Sequence, residues 1–338
     1  MKEIKLPNRL DLDNALKFCN ELWEMEYNEE YIFNFESLQF TEPFTMIYVS
    51  NEIKRFSNER KKLGVNFRAY GFEHNTYQAH MGFFKAFGLN HGNEPGEANG
   101  SETYIPITIL NIEDLKQEAI EKSLYIGDLI EEKAEELARI LTRNDENLID
   151  TLTFSIREII RNVVEHSNSD VIEYCAQYWP AKHLVEVAIL DTGDGIMKGL
   201  SNNPYLKVEK ERDALHQALL PGISGKMYKG VKQKKNNPWQ NSGYGLYMTN
   251  RICKEGGTFT ILSNDAGLIL NQYEKLDIKS SYKGTALRLQ INTDKIESCS
   301  SMLERFRDEG SEISKELNTH SVIEPSMASS MLSKDFRL

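Results

Sequence analysis

The chain has 338 residues, 40% of them hydrophobic and 27% charged, which is the composition of a globular protein rather than a disordered one. Its formal net charge of -11 argues against nucleic acid as a general partner, because phosphate contacts need clustered cations. No apolar run approaches the roughly 18 residues that cross a bilayer, and the N-terminus lacks a signal-peptide core, so we expect a cytoplasmic protein without membrane contact.

Strands and helices are predicted to alternate over residues 1–90. Apolar periodicity predicts, in chain order, a strand over 31–35, a helix over 44–55, a strand over 66–72 and a helix over 76–87. This alternation indicates a small sheet with helices packed on it. A loop rich in Gly and Asn is expected over 90–100, and a further strand over 104–110.

The second half of the chain begins with a long helical region, predicted over 112–166 and broken near 142–145. After residue 291 one amphipathic turn contains Met302 and Phe306, and we expect the Ser-rich end that follows to be poorly ordered. The cysteines form neither a CxxC pair nor a cluster of zinc spacing, so we expect them to be reduced and structural. They are Cys19, Cys175, Cys253 and Cys299.

A helix over 12–22, a strand over 31–38 and a helix from about Thr41 are predicted to follow one another. By this order of elements, residues 1–111 resemble a STAS, or anti-anti-sigma, domain. Phosphorylated members of that family carry a Ser or Thr at the start of the third element, where this chain has Glu42 and Pro43. We therefore interpret Thr41 as a helix N-cap, with Pro43 in the first turn. Glu42 is able to supply a fixed negative charge.

The predicted helix over 151–167 carries two polar residues on the face opposite its isoleucines and valines. Glu158 and Asn162 are one helical turn apart. Taken alone, such a pair is typical of a solvent-exposed polar stripe. At a nucleotide site, a carboxylate can orient or deprotonate an attacking hydroxyl, and an amide oxygen can complete Mg²⁺ coordination.

A mostly apolar strand over 183–190 ends in Asp191-Thr-Gly193-Asp-Gly195. A buried carboxylate at this position can accept a hydrogen bond from the exocyclic amine of adenine. Gly193 and Gly195 permit backbone geometry and close ligand approach that a Cβ would block. The alternative is an ordinary Asp/Gly turn.

Two further glycine segments follow. Gly243-Tyr-Gly245-Leu246 opens a predicted helix, and such a start presents backbone N–H groups and the positive end of the helix dipole to an anion. Gly284-Thr285 opens an alternating strand, where Thr285 either shares the contact with adenine or faces solvent.

The segment between residues 195 and 243 is far longer than an ordinary connection, which is typical of a lid. It contains no acidic residue from Lys226 to Ser242. Its lysines either neutralise ATP phosphates, bind an acidic partner or form a solvated loop. They are Lys226, Lys229, Lys232, Lys234 and Lys235.

Glu158–Asn162, Asp191–Gly195, Gly243–Leu246 and Gly284–Thr285 match the order, residue types and approximate spacing of the N, G1, G2 and G3 boxes of the Bergerat-fold (GHKL) ATP-binding family. Residues 112–295 resemble that family, which implies an α/β sandwich that binds ATP and Mg²⁺. By this resemblance Glu158 is the general base, Asn162 the Mg²⁺ ligand and Asp191 the adenine contact.

The expected architecture is α+β, with a STAS-like domain over 1–111, an ATP-binding domain over 112–295 and a tail over 296–338. The predicted helix over 112–141 contains no histidine, which argues against a sensor histidine kinase. The short stretch after Thr285 argues against gyrase, MutL and Hsp90 relatives, which need a transducer domain. A fold and its nucleotide site do not specify where the γ-phosphoryl group goes.

Two classes of function remain. The first is a protein serine/threonine kinase of the anti-sigma type, or a regulatory ATPase, in bacterial signalling, with the STAS-like domain as partner or regulator in cis. The second is a non-catalytic, ATP-sensing interaction module. Retention of Glu158 favours turnover, since a pure binder needs no base. We expect a regulatory protein partner, whereas the sequence leaves the identity of that partner and a homodimer open.

Overall fold

A seven-stranded antiparallel sheet and a three-stranded parallel sheet carry the fold. The structure is a computed structural model that describes residues 1–142, 145–228, 230–231, 239–317 and 325–336. Helices together with a large antiparallel sheet are compatible with the predicted α+β class. Within the described residues, no helix is long and apolar enough to cross a membrane.

The first hundred residues form the smaller sheet and its helices. Strands β1, β3 and β5 pair in parallel in that order, and β2 pairs with β4. The alternation predicted for residues 1–90 is confirmed, although the helix predicted over 76–87 is divided into two. The elements are β1 (Lys2–Lys5), β2 (Arg9–Leu10), α1 (Leu12–Trp23), β3 (Glu30–Asn34), β4 (Phe40–Thr41), α2 (Pro43–Lys61), β5 (Asn66–Tyr70), α3 (Thr76–His80) and α4 (Phe83–Ala86).

The remaining elements form the larger sheet and the helices on one of its faces. The strand order is β11-β10-β9-β12-β8-β7-β6, with every neighbouring pair antiparallel. The elements are β6 (Tyr104–Asn111), α5 (Ile112–Glu121), α6 (Ile126–Thr142), α7 (Glu146–His166), β7 (Val171–Trp179), β8 (Leu184–Asp191), α8 (Ile196–Leu200), α9 (Glu211–Ala218), α10 (Gly245–Lys254), β9 (Thr258–Ser263), β10 (Ala266–Leu270), β11 (Lys275–Lys279), β12 (Thr285–Asn292), α11 (Cys299–Leu317) and α12 (Ser333–Phe336).

Helix α2 begins one residue later than predicted. Thr41 is buried in β4, and the extended Glu42 is the N-cap, so the assignment of Thr41 as the cap was wrong. Pro43 occupies the first turn as expected. The backbone N–H of Glu42 donates to Thr45 Oγ1 over 3.0 Å, which stabilises this start.

Helix α2 joins the two sheets. All its residues from 43 to 50 are buried, which is expected of a helix that is covered on every side. It packs on β7 and β8 of the larger sheet, and one apolar core runs from Ile4 of β1 to Ala286 of β12. The two sheets therefore share a core.

Strand β6 belongs to the larger sheet, although we predicted a domain boundary after it, at residue 111. We had assigned residues 104–111 to the N-terminal domain, but β6 is hydrogen-bonded to β7 in the seven-stranded sheet. By strand pairing, the larger unit therefore begins with β6, before the helices that we predicted to open it.

Helices α6, α7 and α10 cover the other face of the larger sheet. Residues of β8 alternate between the two cores: Val187 and Ile189 face these helices, while Ala188 and Leu190 face the core of α2. A strand buried on both faces has an almost continuous apolar sequence, which explains the composition of residues 183–190.

The tail is more ordered than predicted. Met302 and Phe306 lie on the buried side of the long helix α11, which packs against α7 and α10. Residues 325–336 also pack on the protein, with Ala328, Ser329 and Leu332 buried. The expectation of a poorly ordered end was therefore wrong for this segment. All four cysteines are free and buried, which agrees with a structural role.

One buried cluster of charges joins α2 to the larger sheet. Arg288 of β12 pairs with Glu42 over 2.6 Å and with Glu186 of β8 over 2.8 Å. Glu186 also accepts from the backbone N–H of Phe44 over 3.0 Å. Burial raises the pKa of Glu42 to about 7, although Arg288 opposes the rise.

This raised pKa predicts a pH-dependent stability. The ordinary pKa of a glutamate is 4.5, so between pH 4.5 and about 7 the folded state binds more protons at Glu42 than the unfolded chain does. The stabilising contribution is therefore complete below pH 4.5 and is lost as the pH rises through 7. We expect Glu42→Gln to remove this loss, as measured by urea unfolding across that range.

Subtracting the two unfolding profiles cancels the titration of all other groups. Glu113→Gln is the control, because Glu113 has a highly exposed side chain. Parallel pH profiles for wild type and Glu42→Gln would contradict the assignment.

Candidate functional site

One cavity brings together residues from all four sequence segments. It lies between α7, the C-terminal end of β8, the start of β12 and the start of α10, and it encloses about 880 Å³, including space open to solvent. Most of the predicted site residues line it: Glu158, Asn162, Asp191, Gly195, Gly243, Gly245, Leu246 and Thr285. Two predicted residues, Gly193 and Lys226, do not.

The polar face of α7 is covered rather than exposed. Glu158 is only 3% exposed, and its Oε1 accepts from Arg157 Nη2 over 3.0 Å and from Arg161 Nη1 over 3.1 Å. Asn162, one turn further on, is half-buried and lines the cavity. The two arginines therefore fix the carboxylate of Glu158 at the cavity wall.

Asp191 and Thr285 are neighbours at the inner end of the cavity. They are directly paired across the antiparallel strands β8 and β12. Burial raises the pKa of Asp191 to about 6, against the lowering effects of the Gly193 N–H and Thr285. A buried acceptor in a partly apolar cavity is suited to recognising a donor such as an exocyclic amine.

The glycines after Asp191 have different roles. A Cβ on Gly193 would lie 1.9 Å from the carbonyl oxygen of Ser167, so Gly193 allows the loop to pack on the end of α7. We had expected Gly193 to allow close approach of a ligand, whereas the geometry indicates a role in packing within the protein. Gly195 has a φ of +80° and lines the cavity, where a Cβ would collide with Asn264.

The start of α10 forms another wall of the cavity, next to Glu158 of α7. A Cβ on Gly245 would lie 2.3 Å from Glu158 Oε2, so only glycine allows α10 to approach this carboxylate so closely. Gly243 and Leu246 flank this contact at the cavity wall. The first backbone N–H groups of a helix lack intrahelical partners, so this wall offers donors to an anion.

The long segment between β8 and α10 is not an unstructured loop. It contains α8 and α9, which form a small apolar core that includes Leu200 of α8 and Ala214 of α9. The ammonium of Lys226 is exposed and donates to the backbone carbonyl of Glu165, so it is directed to the end of α7. The other predicted lysines, Lys229, Lys232, Lys234 and Lys235, lie outside the described residues.

His166 is a local hydrogen-bonding residue. Its Nε2 is 2.8 Å from Asn241 Nδ2, beside the glycine segment that opens α10. Burial lowers the pKa of His166 to about 4, so the imidazole is neutral near pH 7 and can accept this hydrogen bond.

Arg157 is the central residue that sequence reasoning missed. It is wholly buried, with 0% exposure, and its guanidinium contacts Glu131 of α6 and Glu158 of α7. The same group donates to the backbone carbonyls of Ala328 and Met331 in the tail, over 3.2 Å in the latter case. The sequence did contain a signal: Arg157 directly precedes Glu158, and Arg161 follows Glu158 by almost one helical turn. Two arginines on either side of a glutamate can balance its charge when it is buried.

The tail supplies a further wall of the cavity. Ser329 is 2% exposed and lines the cavity, and its Oγ accepts from Ser242 Oγ over 3.1 Å. Ser333 anchors the segment by donating its backbone N–H to Glu131 over 2.8 Å. No local pattern in a Ser-rich stretch indicates such contacts, because the partners are distant in the chain, 202 positions away in the case of Ser333 and Glu131.

Trp239 packs beside Arg157 and Arg161 and contacts α6. Its indole N–H donates to Asp128 over 2.9 Å, and its backbone carbonyl accepts from Arg161 over 2.8 Å. The guanidinium groups of Arg157 and Arg161 lie 5.4 Å and 5.3 Å from its ring, within the range of cation–π interactions.

The cavity is compatible with a nucleotide that carries its own metal ion. Among the described residues, no group of three or more His, Cys, Asp or Glu could hold a metal. Mg²⁺ typically uses few protein ligands together with water and phosphate oxygens, so a single amide oxygen from Asn162 suffices.

Comparison with known proteins adds no assignment. No protein-family model matches the chain, and no curated protein matches it significantly. Any functional assignment therefore depends on the residues of the cavity and their geometry.

The contacts of Arg157 predict a large effect on stability. Arg157→Ala leaves the carboxylates of Glu131 and Glu158 without their shared buried partner, so we expect the free energy of unfolding to fall by about 3–5 kcal/mol. Arg212→Ala is the control, because Arg212 forms an exposed ion pair with Asp277 whose loss should change stability little. Urea unfolding measures both, and equal small losses would contradict the central role of Arg157.

Proposed function

We propose that the protein is an Mg²⁺-dependent, ATP-binding regulatory protein of the GHKL type that hydrolyses ATP or transfers its γ-phosphoryl group to a protein serine or threonine. The observation that carries the proposal is the convergence of Asn162, Asp191, Gly245 and Thr285 on one cavity. These residues come from four separate segments of the chain.

The chemistry of the walls supports this orientation of ATP. The base would lie at Asp191 and Thr285, where a buried acceptor meets partly apolar surroundings that include Ile261 and Leu287. The phosphates would lie at the start of α10, whose backbone N–H groups and helix dipole favour negative charge. Asn162 stands on α7 at the side of the cavity and would hold Mg²⁺ against the phosphates.

Glu158 supports turnover in this proposal. Its carboxylate lies at the cavity wall against the start of α10, which is where the terminal phosphate is expected. There it would orient a water or a serine hydroxyl and take up its proton. The N-terminal STAS-like unit, joined to β8 by α2, would act as the regulator in cis.

The alternative is a non-catalytic ATP-sensing module. One observation favours it: Glu158 Oε1 already accepts hydrogen bonds from Arg157 and Arg161, which is the arrangement of a structural ion pair. In that case binding would alter the contacts of Arg157 with the tail. Turnover by the wild-type protein distinguishes the two functions.

The adenine assignment predicts the effect of Asp191→Asn. An amide can present a donor to the adenine amine, so we expect ATP binding to weaken by about 1–3 kcal/mol or more, with the fold intact by circular dichroism. Asp194→Asn is the matched control, because Asp194 is exposed in the same loop and does not line the cavity. Isothermal titration calorimetry measures both, and near-wild-type affinity in Asp191→Asn would refute the assignment.

The role of Glu158 predicts a separation of binding from chemistry. Glu158→Gln keeps an oxygen that accepts from Arg157 and Arg161, so we expect ATP binding to persist while turnover falls by roughly 10²- to 10⁴-fold. Glu165→Gln is the control, because Glu165 pairs with Arg161 on the same helix but does not line the cavity.

Phosphate release and transfer of labelled phosphate to added protein are the readouts. If ATP binds to the wild-type protein and neither reaction occurs, the ATP-sensing module replaces the enzyme.

A further inference from the structure

Residues 325–336 bring a serine hydroxyl to the wall of the proposed ATP cavity. Ser329 is 2% exposed, and it lines the cavity together with Glu158, Asn162 and Gly245. The neighbouring serines, Ser326 and Ser330, are half-buried and do not line it. Ser329 lines the cavity with the tail in position, so this segment forms part of its wall.

The hydroxyl of Ser329 is held against the segment that opens α10. Ser242 Oγ donates to Ser329 Oγ over 3.1 Å, and Ser242 directly precedes Gly243. Ser326 Oγ approaches the same atom over 3.2 Å. The start of α10 is where the proposed function puts the phosphates, so Ser329 Oγ lies at the phosphate end of the cavity rather than at Asp191.

Arg157 ties Ser329 to Glu158. A single nitrogen, Arg157 Nη2, donates both to the carbonyl of Ala328 and to Glu158 Oε1, the latter over 3.0 Å. The backbone immediately before Ser329 is therefore linked to the proposed base through one atom.

We propose that Ser329 is a phosphoacceptor of this chain, phosphorylated in cis from Mg²⁺-ATP. In this step Ser329 Oγ forms a bond to the γ-phosphorus, and the bond from that phosphorus to the bridging oxygen breaks. The electron pair of the broken bond leaves with ADP, and the hydroxyl proton passes to the carboxylate of Glu158. The inference rests on the proposed function, and it names the acceptor that the proposed function leaves open.

The product changes the charge of a buried segment. A phosphoserine carries a charge of about -1.5 to -2 at pH 7, and here it would lie beside the carboxylate of Glu158. Repulsion and the cost of burying that charge favour release of residues 325–336 from Arg157. Phosphorylation in cis would therefore occur once per molecule and would open this side of the cavity.

The test incubates the full-length protein with Mg²⁺ and γ-labelled ATP and locates the phosphate by tandem mass spectrometry. We expect one phosphoryl group per chain at Ser329, at a rate per molecule that does not change with protein concentration, as required for reaction in cis. Ser329→Ala should lower incorporation by at least about tenfold, whereas Ser330→Ala, in the same segment, should keep it.

Separate outcomes distinguish the failure of this inference from that of the proposed function. Calorimetric ATP binding to the wild-type protein without phosphate at Ser329, or incorporation that Ser329→Ala leaves unchanged, overturns the phosphoacceptor and leaves the ATP site standing. Absence of ATP binding overturns both. Incorporation at Ser329 that rises with protein concentration shows reaction between molecules and overturns the assignment in cis.

Discussion

The guanidinium of Arg157 is the group on which the architecture of the site depends. A buried cation needs acceptors on every side, because its desolvation otherwise costs several kcal/mol. Here the acceptors come from α6, from α7 and from two backbone carbonyls of the tail. One charge therefore joins three parts of the chain that are distant in sequence, and it holds Glu158 at the cavity wall. A change in any of these contacts alters the others.

A second buried arginine connects the N-terminal unit to the same sheet. Arg288 of β12 pairs with Glu42 at the start of α2 and with Glu186 of β8. Asp191 is the last residue of β8, and Thr285 is the first residue of β12. The strand that carries Arg288 and the strand that carries its partner Glu186 therefore both extend to the cavity. The contacts of α2 with Arg288 and Glu186 lie on the same two strands as Asp191 and Thr285.

Local signals predicted the parts of the site that local chemistry determines. Five residues that local patterns singled out line one cavity: Glu158, Asn162, Asp191, Gly243 and Gly245. Contacts between distant segments were not predictable, because no periodicity reports them. Gly193 allows packing on Ser167, and Lys226 is directed to α7. The segment of Ser329 is held at the cavity because Arg157 of α7 donates to the carbonyl of Ala328. The boundary before β6 was missed for the same reason, since strand pairing does not depend on the strand's own sequence alone.

Discrimination between ATP and GTP tests the central claim most directly. Asp191 accepts a hydrogen bond in the proposed site, and adenine offers an exocyclic amine where guanine carries a carbonyl oxygen. Two acceptors that face each other in a buried site cost about 1–3 kcal/mol, so the account predicts that Mg²⁺-ATP binds at least about fivefold more tightly than Mg²⁺-GTP in calorimetric titrations of the full-length protein. Equal affinity for the two nucleotides, or no binding of either, would contradict it.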